Sequence, residues 1–263
     1  MRINLQLHKA LSGRKTKGVS VKKLKTETKT TSEDKKTITM PPMATTISEA
    51  NEIAVKYELA KTADFTGLHL DRVNIILQTI ATTKAEFPAM SVPDFVGNPL
   101  YSADPMVREK FKKGEHNKAI AWISSSASAL GKVNGVYFNP IHHFGAYTDN
   151  YNIKENIAYS LKEKLSPEGC NTLKSFIDHE LGHVLDYTLN KAISNDSRIV
   201  KLYNKHMNAT KESNKMKNVL SEYAKNNRRE FVAEAWAEYR NNPTPRPLAT
   251  EVGKIIESFF KKS

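Results

Sequence analysis

Two histidines four residues apart, with an acid beside the first, are the chain's strongest chemical signal. The segment Asp178-His179-Glu180-Leu181-Gly182-His183-Val184-Leu185-Asp186 has the spacing H-E-x-x-H. On an α-helix, which advances about 100° per residue, His179 and His183 lie roughly 40° apart and one turn displaced. Two imidazoles so placed can converge on one cation, and zinc is the metal that nitrogen ligands at this spacing favour. Glu180, adjacent to a ligand, then stands where a general base is needed. Cys170 is the only cysteine, which excludes a cysteine-built metal cluster and an internal disulfide framework. A candidate third ligand lies downstream, on another helix.

The segment Ser221 to Glu234 supplies candidates. Asn227 can cap a helix beginning at Arg228. Glu230, Glu234 and Glu238 recur every four residues and form one carboxylate stripe. Phe231, Ala235, Trp236 and Tyr239 give the same helix an apolar side to bury. By spacing alone Glu230 and Glu234 are equal candidates for the third ligand.

H-E-L-G-H followed by Y-x6-E-F-x-A-E resembles the gluzincin metallopeptidases of the anthrax lethal factor and Pro-Pro endopeptidase kind, over residues 134–240. The resemblance implies one zinc ion held by His179, His183 and Glu230, with Glu180 as general base. It implies that Tyr223 assists at the transition state and that Glu234 supports the ligands from behind. Asp186 is a candidate acceptor for the second nitrogen of a metal-bound histidine. The implied activity is a zinc-dependent endopeptidase, hydrolysing peptide bonds of a protein or peptide substrate with metal-activated water. A looser likeness upstream, through residues 60–88, FVGNP and GVYFNP, is to metallopeptidase domains of phage-encoded head or minor structural proteins. Two other readings stand beside the enzyme: a phage or mobile-element structural protein with a non-catalytic or weakly active module, and a nucleic-acid-binding protein.

The elements that must position these residues follow from periodicity. Leu173, Ile177, Leu181, Val184 and Leu185 form one apolar stripe roughly 120° wide, with His179, His183 and Asp186 opposite. Ser166-Pro167-Glu168 has the composition of a helix start, predicting a helix from there to Asn190. Further helices are predicted from Ile47, from about Asp71, over Arg108–Ala127, and over 196–207, 211–221, 228–240 and 247–261. Val136, Tyr137 and Phe138 read as a short strand and are the expected substrate-binding residues, pairing with an extended peptide. The expected fold class is α+β: zincin-like, mostly helical, with a small mixed sheet. Residues 43–263 are expected to form the domain, 43–125 mainly helical and 126–263 catalytic.

The formal net charge of +12 looks at first like a polyanion signal. Residues 1–40, however, hold eleven Lys and Arg against three acids, a net +8, and no aromatic residue. Residues 1–42 are therefore expected to be a disordered basic tail or linker, able to contact a polyanion or a virion component. No apolar run approaches the ~18 residues of a membrane span, and the first residues lack a signal-peptide core. The expected localisation is cytoplasmic or virion-associated.

Overall fold

Helices form in this chain where apolar residues recur every three or four positions and a polar side chain closes the first turn. In the computed structural model of the protein, residues 39–115, 119–125, 133–146, 150–188, 192–211 and 220–261 are described. They are mostly helical, with a small mixed four-stranded sheet, an α+β architecture. α1 (Ile47–Lys56) begins after Thr46, whose Oγ1 accepts from the Glu49 amide at 3.1 Å. α2 (Leu70–Glu86), capped by His69, buries Val73, Ile76, Leu77 and Ile80. α3 (Pro105–Lys112) and α4 (Asn150–Lys162) flank the sheet strands in sequence. The site itself is carried by α5 (Leu173–Thr188) and α7 (Arg228–Asn241), with α6 (Ser197–Lys211) and α8 (Pro247–Phe260) packed against α7.

The strands are β1 (Thr62–Asp64), β2 (Phe95–Gly97), β3 (Ala121–Ser125) and β4 (Val133–Phe138), in the order β1-β2-β4-β3. β1, β2 and β4 run parallel, and β3 pairs antiparallel with β4 at one edge. Val136 and Phe138 join the core that holds Ile177 and Leu181 of α5. Tyr137 instead stacks between Trp122 and Phe95, with ring centroids 5.4 and 5.6 Å apart. That alternation follows from the two-residue period of a strand.

α5 buries Ile177, Leu181, Val184 and Leu185 in the same core as Phe231, Val232, Ala235 and Trp236 of α7. Each of the Ile, Leu, Val and Phe side chains stabilises the fold by roughly 1.5–3 kcal/mol. The two helices cross closely because Gly182 has no Cβ: one built there would lie 2.8 Å from Ala233 Cα. Gly182 sits between His179 and His183, and Ala233 between Glu230 and Glu234, so this crossing sets the distance between histidines and carboxylates. Gly182→Val is expected to lower stability by about 2 kcal/mol, since overpacking costs about 1–3 kcal/mol against backbone that has nowhere to retreat. Urea unfolding checks this.

Several sequence expectations are corrected. The zinc-motif helix begins at Leu173, not at Ser166-Pro167-Glu168. Gly169, at φ +77°, takes the left-handed conformation, and the Cys170 amide bonds back to the Pro167 carbonyl at 3.3 Å, so those residues form a turn. The helix start falls to Thr172, whose carbonyl accepts from the Ser175 hydroxyl at 2.6 Å. The predicted helix over Arg108–Ala127 stops at Lys112, and Ala121–Ser125 is a strand. The sheet takes strands from both sides of residue 125. Residues 39–42, expected in the tail, are placed: the Pro41 carbonyl accepts from Gln78 Nε2 at 2.8 Å. The rest of the basic tail and residues 212–219 of the predicted 211–221 helix lie outside the described residues. Among the described residues no helix is long and apolar enough to cross a membrane.

Candidate metal centre

His179 and His183 project from one face of α5, and Glu230 meets them from the first turn of α7. Asn227 caps α7 with its side-chain oxygen, accepting from the amides of Arg229 and Glu230 at 2.9 and 3.1 Å. That cap aims Glu230 at the histidines. Glu230 Oε2 lies 3.2 Å from His179 Nε2 and 3.3 Å from His183 Nε2. It is buried, and among the described residues it makes no hydrogen bond of good geometry with either ring. The imidazole rings stand nearly perpendicular, at 84°, with centroids 4.9 Å apart. One atom from each of His179, His183 and Glu230 lies within 4.8 Å of the others, a group able to hold a metal ion. Two imidazole nitrogens and a carboxylate oxygen match the three protein ligands of a catalytic zinc site. The buried Glu230 oxygen, without a hydrogen-bond partner among the described residues, is one that a cation would satisfy.

The charges agree with a cation at this point. Burial favours a neutral Glu230, yet the His179 and His183 imidazoles outweigh it and hold the carboxyl well below the usual carboxylate range. Burial likewise disfavours charge on His179, but Glu230 and Glu234 outweigh it and hold the imidazole well above its ordinary value.

Glu234 answers the tie left by spacing. Its Oε1 lies 2.8 Å from His179 Nδ1, the nitrogen turned away from the cluster, which fixes the ring and frees Nε2 as the ligand atom. Its Oε2 accepts from the Ser221 hydroxyl at 2.5 Å, and Ser221 Oγ accepts from the Ala224 amide at 3.0 Å. This chain secures the turn Tyr223–Lys225, so one carboxylate orients both a ligand and Tyr223. Glu238, the third acid of the stripe, is fully buried and pairs with Arg246, which also donates to the Leu220 carbonyl at 2.6 Å.

Glu180 is 5 % exposed, and its Oε2 is buried with no hydrogen-bond partner among the described residues. Burial pushes its carboxyl above the ordinary range; His179 and His183 pull it down, and Glu230 and Glu234 raise it again. The Tyr223 ring lies 5.9 Å from that of His179. Burial, with Glu230, Glu180 and Glu234 nearby, pushes the phenol up to about 12, so the hydroxyl keeps its proton at neutral pH.

Two cavities meet at His179, Glu180 and Tyr223. One, of about 260 Å³, reaches Ile123, Ser125, Tyr187 and Arg229. The other, of about 470 Å³, reaches Leu165, Pro167, Cys170 and Phe176 and is more apolar. Ala121 of β3 lines both.

Two expected roles do not hold. Val136, Tyr137 and Phe138 are at most 1 % exposed, and β4 is bonded on both sides, to β2 and to β3. They have no free edge to offer a peptide; the edge strand beside the site is β3, which the sequence had placed in a helix. Asp186 does not hydrogen-bond a histidine. Its oxygens accept from the Ser194 amide at 2.6 Å and hydroxyl at 2.9 Å, while His183 Nδ1 is buried without a hydrogen-bond partner among the described residues. Cys170 lies in the turn ahead of α5; burial first, then Glu234, Glu238 and Asp178, pushes its thiol far above the ordinary range and makes it unreactive. Sequence reading also missed Ser221, Ser194, Gly182 and β3. Each acts through a partner distant along the chain or on another element, so no local pattern marks it.

No protein-family model, curated protein or solved structure matches this chain.

Proposed function

We propose that the protein is a zinc-dependent endopeptidase of the zincin kind. The observation that carries this reading is the convergence of His179 Nε2, His183 Nε2 and Glu230 Oε2 in a cleft that also holds Glu180 and Tyr223. His179, His183 and Glu230 would hold the zinc ion, which would supply Lewis acidity and lower the pKa of water from ~15.7 towards ~7. Glu180 takes the proton from the attacking water and delivers it to the leaving amine. A buried carboxylate with an oxygen that has no hydrogen-bond partner among the described residues is suited to that traffic, and it is a group that a purely structural module has no need to bury. Tyr223, protonated at neutral pH, donates to the developing oxyanion. Glu234 keeps His179 in the tautomer that leaves Nε2 free to bind metal. The edge of β3 receives an extended peptide by adding it as a strand.

The test uses the full-length protein, stripped of metal and reloaded with one equivalent of zinc, on an unbiased peptide library. Cleavage is expected with zinc, and its loss with a chelator. A folded protein that takes up no zinc overturns the metal assignment, and a zinc-loaded one that cleaves nothing overturns the peptidase assignment.

A further inference from the structure

We infer that Arg229 is a specificity-determining residue, receiving a carboxylate of the substrate: an Asp or Glu side chain on the N-terminal side of the cleaved bond. This rests on the peptidase reading above. Seven arginines are among the described residues, and six give the guanidinium to an oxygen. Arg72 and Arg108 reach backbone carbonyls, Arg198 reaches Asp196, Arg228 reaches Asn195, Arg240 reaches Glu86 and Arg246 reaches Glu238. Among the described residues Arg229 differs: its guanidinium makes no hydrogen bond or ion pair, and lies over the Tyr187 ring at 4.6 Å from the centroid. Both side chains line the cavity that contains the three candidate ligand atoms. Stacking holds the planar group ready, so less freedom is lost when a carboxylate binds it with two parallel hydrogen bonds.

The neighbouring acids are already engaged. Glu230 faces the two imidazoles, and Asp186 holds Ser194 with both oxygens; Asp186 feels the charge of Arg229 but makes no hydrogen bond or ion pair with it among the described residues. Apart from the histidines, Arg229 is the one cationic side chain among the described residues that lines that cavity.

The position of the carboxylate follows from β3. Ala119, Ile120 and Ala121 line the apolar cavity, whereas Ala121, Ile123 and Ser125 line the cavity of Arg229. β3 therefore runs from the apolar cavity towards Arg229. A peptide added antiparallel, the more stable pairing, enters past Arg229 and leaves through the apolar cavity. Its acid thus precedes the cleaved bond. A parallel peptide would run the other way and bring the residues after the cleaved bond, or a chain end close behind it, to Arg229.

The experiment compares full-length zinc-loaded wild type, Arg229→Gln and Arg229→Glu on peptide pools with free or amidated C-termini. Wild type is expected to enrich Asp or Glu at one position before the cut, regardless of the C-terminus. Arg229→Gln should lose about tenfold or more in kcat/KM on the acidic peptide, through KM, and little on its Gln-for-Glu analogue. Arg229→Glu should favour Lys at that position. Enrichment confined to free C-termini moves the carboxylate to the chain end and overturns the side-chain assignment. Cleavage with no acidic preference overturns the role of Arg229. Anisotropy of fluorescein-labelled Glu and Gln pools on zinc-loaded Glu180→Gln needs no turnover. If wild type cleaves nothing, the peptidase reading fails, while preferential binding of the Glu pool that is lost with Arg229→Gln still supports the anion site, and equal binding overturns it.

Discussion

Glu180→Gln is expected to leave zinc at one equivalent and to lower peptide hydrolysis by about 10²–10⁴-fold, the range general-base catalysis contributes. The separation of the two effects is the point. Glu180 is not among the three converging ligands, so the metal site keeps its full donor set. The amide has nearly the shape of the carboxyl and fills the same space without accepting a proton. Stability should not fall either. The native carboxylate is buried with one oxygen unpartnered among the described residues, an arrangement that opposes folding, and a neutral amide is less costly to desolvate. A variant that binds zinc, melts no earlier than wild type and does not cleave is the expected combination. Retained turnover would remove Glu180 from the base role; loss of zinc would mean that it supports the ligands instead.

The ligand helices were legible because their signals are local. The apolar stripe of α5 and the Asn227 cap of α7 lie within a few residues of the groups they position, and α7 runs Arg228–Asn241 against an expected 228–240. The sheet was not legible in the same way. β1 and β2 have three residues each, too few to display a two-residue period, and Ala-Trp-Ile in β3 suits a helix equally well. What makes Ala121–Ser125 a strand is its pairing with β4, a contact no local pattern carries. The same non-locality explains the misplaced substrate edge. The sequence locates β4, but whether its edges are free depends on strand order, and β2 and β3 occupy them both. The turn at Ser166–Cys170 was lost to a single glycine: the start signal was real in composition, but Gly169 takes a left-handed φ that ends it.

The choice between Glu230 and Glu234 was equal by spacing because both lie on one helix face; the nitrogen each meets separates them. Glu230 faces both Nε2 atoms, whereas Glu234 meets His179 at Nδ1. Glu230→Ala is therefore expected to weaken zinc binding beyond the 10–100-fold typical of losing a supporting carboxylate, and Glu234→Ala to fall within that range. Competition with a chromogenic chelator measures both. Glu234→Ala should have a second effect that zinc cannot restore. Glu234 also holds Ser221, and Ser221 holds the Ala224 amide in the turn that carries Tyr223. At saturating zinc, this variant should still hydrolyse more slowly than wild type. Ser221→Ala separates the two duties, since it breaks the link to the turn and leaves the contact to His179. It should keep zinc affinity within about threefold of wild type and still lose turnover, because Glu234 loses its Ser221 donor at Oε2 but keeps Oε1 on His179. Weaker zinc binding in Glu234→Ala than in Glu230→Ala would transfer the ligand role to Glu234. Full turnover in Ser221→Ala would show that Tyr223 needs no such anchor.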